Sequence, residues 1–139
     1  MQFMNKQLLI PGQCLSRRDI AALFGGNTRA FLPKFDGEIV AGCFDPKMNP
    51  RAPYEILVSS KPTSILAAKR FVERGKALPI FVRRAASCWE YLAEFHAVKY
   101  CDDRNEVSSR IYEIHPRVYQ RFEKAYGPVR GVLFLEEAT

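Results

Sequence analysis

The residues whose types suit chemistry gather around one short segment. Phe44 and Asp45 close an apolar run, Asn49 follows four positions later, and Pro46, Pro50 and Pro53 stiffen the chain between Asp45 and the next run. A rigid loop carrying an aromatic ring, a carboxylate and an amide suits a flat polar ligand. For a cytosine turned out of a duplex, a carboxylate accepts from the exocyclic amine while an aromatic covers the ring. Asp and Asn also favour turns, so loop geometry alone would account for them. Trp89 and Tyr91 are the further pocket candidates, although with Phe95 they alternate as the core face of a strand would.

The second group is cationic. Net charge is +6, and its distribution says more than its total. Residues 61–84 hold Lys61, Lys69, Arg70, Arg74, Lys76, Arg83 and Arg84 against Glu73 alone, equal to the whole excess. A local excess of this size suits a polyanion, or a solvated basic face. The phosphate-binding candidates are Arg17 and Arg18 at a helix N-terminus, Lys69, Arg70 and Arg74 along a helix, and Arg83 and Arg84 ending a strand.

Catalytic groups are scarce. There is no G-x-S-x-G, and His96 and His115 have no flanking signature, so no nucleophile with a base is expected. A metal-dependent nuclease would draw on Asp45 and Glu55, but no lysine follows Glu55 closely. Cys14, Cys43, Cys88 and Cys101 form no C-x-x-C pair, so the expectation is reduced, mostly buried thiols and no metal site. No G-x-G-x-x-G or P-loop is present, and no cofactor is expected.

The elements that must position these groups follow from capping and periodicity. Ser16 and Asp19 form a cap that opens a helix with Ile20, Leu23 and Phe24 on its buried side, and Gly25-Gly26 ends it. Strands are expected over 38–44 and 54–58, then a helix over 63–74 with Ile65, Ala68 and Val72 inward and Phe71 alongside. Strands follow at Leu78–Val82 and around Trp89–Ala97, with an exposed turn over 101–105. A helix over 117–126 and a strand over 129–135 close the chain. This order lacks βαβ alternation, which predicts an α+β domain on a curved, mainly antiparallel sheet. With 139 residues the chain is expected to be a single domain, 1–139. No apolar run is long enough for a membrane span. Residues 1–11 show no signal-peptide core, so a cytoplasmic, nucleoid-associated location is expected, or a nuclear one in a eukaryote.

Four blocks together resemble the SRA-like domains attached to McrA-type HNH restriction endonucleases. They are Cys14-Leu15-Ser16-Arg17-Arg18-Asp19-Ile20 running to Phe24-Gly25-Gly26, then Gly42-Cys43-Phe44 with Asn49-Pro50-Arg51-Ala52-Pro53. The others are Leu78-Pro79-Ile80-Phe81-Val82-Arg83-Arg84 and Trp89-Glu90-Tyr91-Leu92-Ala93-Glu94-Phe95. The resemblance runs from about Pro11 to Leu135 and implies a PUA/SRA-like β-barrel with flanking helices that flips a modified cytosine from DNA into a pocket. No HNH motif is present, so the resemblance implies binding without cleavage, and a nuclease domain or subunit as a possible partner. The rival readings are a PUA-like RNA-binding module, a protein-interaction domain with a basic face, and the metal-dependent nuclease.

Overall fold

In the computed structural model, which describes residues 9–139, a reciprocal cap starts the first helix. Ser16 Oγ accepts the Asp19 N–H at 3.0 Å, and the Asp19 carboxylate takes the Ser16 N–H at 3.3 Å. This opens α1 (Arg17–Phe24), directly after the short strand β1 (Cys14–Leu15). Gly25 ends it at φ 89°, a backbone angle that glycine adopts without strain. The expectation for residues 1–8 lies outside the described residues.

The hairpin β2 (Lys34–Phe35) and β3 (Glu38–Ile39) leads to β4 (Gly42–Phe44) and β5 (Glu55–Ser59). Then come α2 (Pro62–Arg74), β6 (Leu78–Ala85) and β7 (Cys88–Cys101). Two helices, α3 (Arg104–Tyr112) and α4 (Pro116–Tyr126), precede β8 (Val129–Glu137). The main sheet runs β4-β6-β7-β8-β5, with β1 also on β7. Among the described residues only β4 with β6 is parallel. The protein is thus α+β with a mainly antiparallel sheet. Among the described residues β4 and β5 are not hydrogen-bonded to each other, so the sheet is not a closed barrel.

The stripe expected on β7 divides between two cores. Ile80 pairs with Ala93 but Phe81 pairs with Tyr91, so the ladder skips Leu92. Such a bulge turns the residues beyond it to the other face. Phe95 and Ala97 therefore join Phe44, Phe71, Ile56, Val58 and Leu133 in one cluster. Trp89 and Tyr91 join Phe81, Ile20, Leu23 and Phe24 in another, which fixes α1 to the sheet. Phe44 of β4 and Ile56 and Val58 of β5 share the first cluster although they come from opposite edges.

Two expectations are corrected. Most of the turn expected over 101–105 belongs to other elements: β7 runs to Cys101, and Asp103 caps α3 by accepting the Glu106 N–H at 3.0 Å. Only Val107 of α3 is buried, so the helix shows no apolar stripe in sequence. The second concerns the cysteines. Cys14 and Cys88 form a disulfide that ties β1 to the start of β7, because the β1–β7 ladder and the tight β6–β7 turn bring their Cα atoms to 4.9 Å. Cys43 and Cys101 remain thiols.

These thiols have different reactivity. Burial pushes the Cys43 thiol up to about 11, so almost none is thiolate near neutral pH. Cys101 is raised as well, chiefly by its hydrogen bond to Glu106, at 3.1 Å. Native, air-oxidised protein treated with iodoacetamide at pH 7.5 should leave Cys43 unmodified. After unfolding without reductant, intact mass should show alkylation at Cys43 and Cys101 alone. Four alkylated cysteines without reductant would contradict the disulfide, and rapid native labelling of Cys43 would contradict its burial.

Candidate functional site

A cavity of about 740 Å³ opens where the sheet fails to close. Cys43 and Phe44 from β4, Leu57 and Ser59 from β5, and Asp45, Met48 and Asn49 from the loop joining those strands line it. The segment after α1, the first half of α2, and Phe122 and Tyr126 of α4 complete the walls. Its size falls within the range of about 300–1,000 Å³ found for ligand clefts.

Four of the pocket candidates meet here: Phe44, Asp45, Asn49 and Trp89. Tyr91 does not. It sits past the bulge under α1, its ring centroid 5.5 Å from that of Phe81 and its backbone bonded to Gly12 and Gln13. Phe44 is 1% exposed and serves as a wall, with no free ring face for stacking. Trp89 is engaged by two guanidinium groups, Arg17 at 5.1 Å and Arg83 at 5.6 Å from its ring centroid. One Asp45 oxygen accepts the Lys47 N–H at 3.0 Å, and the other meets Arg83 at 3.4 Å, a long contact on a side chain open to the cavity. Asn49 is buried, and its Oδ1 accepts the Leu57 N–H at 2.7 Å. That bond pins the proline-rich loop to β5. Asn49→Ala leaves a buried N–H without its acceptor and should cost about 1–3 kcal/mol, read as a lower denaturant midpoint with an unchanged slope. A midpoint equal to the parent's would show that the bond holds nothing.

The arginines and lysines chosen from sequence do not form one surface. Arg17 and Arg83 line the cavity. Arg17 is also held by the carbonyls of Asn27 and Ala30, and Arg83 by those of Ala85 and Ala86. They are struts around Trp89 more than free phosphate ligands. Arg84 turns outward to Glu90 at 2.7 Å. Arg74 pairs with Glu38 and, with Arg70, borders a small separate cleft under the β2–β3 hairpin. Arg18, Lys69 and Arg70 are exposed cations.

Sequence reasoning missed Arg29, Lys34 and Lys61 as site residues. All three line the cavity, and among the described residues their side chains have no hydrogen-bond or ion-pair partner. Arg29 lies in the irregular segment after Gly25-Gly26 and Lys34 opens β2, and the path of this stretch over the cavity had no signature. The lining carries Arg17, Arg29, Lys34, Lys61 and Arg83 against the one carboxylate of Asp45, a strongly positive interior.

Asp45 and Glu55 do not come together. Glu55 is held by Arg51 at 3.4 Å and Arg110 at 3.2 Å, outside the cavity lining. Among the described residues, no three His, Cys, Asp or Glu side chains gather as a metal site. No described helix is long and apolar enough to cross a membrane. Compared with known proteins, the chain matches no family model, no curated protein and no solved structure.

Proposed function

We propose that this protein is a PUA/SRA-like reader of modified DNA, which takes a flipped cytosine derivative into the cavity between β4 and β5 and does not cleave. The observation that carries the reading is the convergence of Phe44, Asp45, Asn49 and Trp89 on a single cavity. These residues were chosen by chemical type from segments up to 45 positions apart. Asp45 is the carboxylate available to the base edge, and the positive interior suits the neighbouring phosphates. Selectivity belongs to Asp45, because phosphates are the same at every sequence.

The test is a set of matched duplexes with plain, methylated, hydroxymethylated and glucosylated cytosine, measured with the parent protein and with Asp45→Asn. Asn keeps the size and the turn preference but replaces an acceptor oxygen with a donor. The parent should prefer one modification by roughly 10-fold or more, and the variant should lose most of that preference while keeping nonspecific affinity. Equal parental affinity for all four duplexes would remove the reading. Full discrimination by folded Asp45→Asn would move the pocket elsewhere.

A further inference from the structure

The cavity holds more positive charge than a neutral base requires. Arg17 and Arg83 are committed to Trp89 and to backbone carbonyls. Arg29, Lys34 and Lys61 are exposed and line the same space, and among the described residues their side chains have no hydrogen-bond or ion-pair partner. Such cations around a half-open cleft raise the local concentration of anions and suit charge-assisted hydrogen bonds to them. The opposite chemistry is also present: an indole braced by guanidinium groups, and an acceptor carboxylate at Asp45. A planar base with its own phosphate is the chemical class that satisfies both ends.

We propose that the cavity is a complete mononucleotide site, which binds a free nucleoside 5′-monophosphate without any duplex, its phosphate met by Arg29, Lys34 and Lys61. The proposal rests on the reader reading's cavity and positive lining, and adds that three of those cations hold the phosphate of a free nucleotide. The phosphate comes either from a free nucleotide or from the flipped nucleotide of a DNA strand, and its chemistry is the same in both. Volume is consistent with a whole nucleotide, since about 740 Å³ lies in the upper part of the range of about 300–1,000 Å³ found for ligand clefts.

Trp89 is the only tryptophan of the chain and lines the cavity, so intrinsic emission reports occupancy directly. The intact protein is titrated with the four deoxynucleoside 5′-monophosphates, the four matching nucleosides, and inorganic phosphate alone. At least one monophosphate should give a saturable change and bind at least 10-fold more tightly than its nucleoside and than inorganic phosphate. Arg29→Ala with Lys61→Ala should erase that 10-fold advantage and leave nucleoside binding unchanged. Both side chains are exposed and outside the core, and matching melting curves confirm that the variant folds. Equal affinity for nucleotide and nucleoside, or no saturable change with any monophosphate, would overturn the proposal. The duplex panel on the same preparation separates the two readings. Loss of nucleotide binding with modification preference retained removes only the free-nucleotide site, and nucleotide binding without modification preference removes only the reader.

Discussion

Replacing Cys14 and Cys88 together by Ser is expected to destabilise the protein by about 4 kcal/mol and lower its melting temperature by roughly 10 °C. The disulfide closes a loop of 74 residues, which strongly restricts the unfolded chain. Few backbone bonds besides hold this corner, although Leu15 also packs against the cluster under α1. β1 has two residues, and its neighbours add the Gly12–Tyr91 and Tyr91–Gln13 backbone bonds. The consequence reaches the cavity, because β1 leads directly into α1 and Arg17, and β7 carries Trp89. Loss of the disulfide should therefore weaken ligand binding as well as stability. Thermal melts of parent and double variant, with and without reductant, decide the matter. Reductant should bring the parent down to the variant and leave the variant unmoved. Equal melting of all four samples would show that the disulfide contributes nothing.

Duplex affinity is expected to fall by two to three orders of magnitude between 50 and 200 mM salt. About four to six phosphate contacts give a log–log slope near −4 to −5, because each contact releases condensed counterions. The structure selects which side chains carry it. Arg74 and Arg84 already face Glu38 and Glu90, so replacing either with Ala removes a compensated charge and should change the slope least. Among the described residues Arg29, Lys34, Lys61, Arg18, Lys69 and Arg70 have no such partner, and each Ala replacement of one that contacts DNA should flatten the slope by nearly one. None should alter preference among modified bases. Affinity independent of salt would count against any nucleic acid ligand.

Local signals carried well from sequence to fold. The cap at Ser16 and Asp19, the glycines after Phe24, the stop at Gly75 and the break at Gly127 each depend on residues within a few positions, and the helices they bound are present. Helix α3 was not legible, since one buried residue makes no stripe. The inward side of α2 also shifted. Ala67, Ala68 and Phe71 are fully buried and Ile65 and Val72 only partly, because the sheet and the hairpin cover it from different sides.

Residue types alone marked Phe44, Asp45, Asn49 and Trp89 as candidates, because an aromatic, a carboxylate and an amide near a proline-stiffened loop suit a flat polar ligand, although Asp and Asn also favour turns. Tertiary structure decided what each does. A one-residue bulge at Leu92 set Trp89 and Tyr91 on the face opposite Phe95 and Ala97, and of the two only Trp89, nearer the β6–β7 turn, lines the cavity; register is set by pairing with β6, which local sequence does not encode. The Cys14–Cys88 disulfide and the free cations Arg29, Lys34 and Lys61 arise from contacts between distant segments. The +6 excess of residues 61–84 likewise divided, with Lys61 and Arg83 at the cavity and Arg74 and Arg84 paired with acids. Charge is a property of composition, but whether a cation is free depends on which acids the fold places beside it.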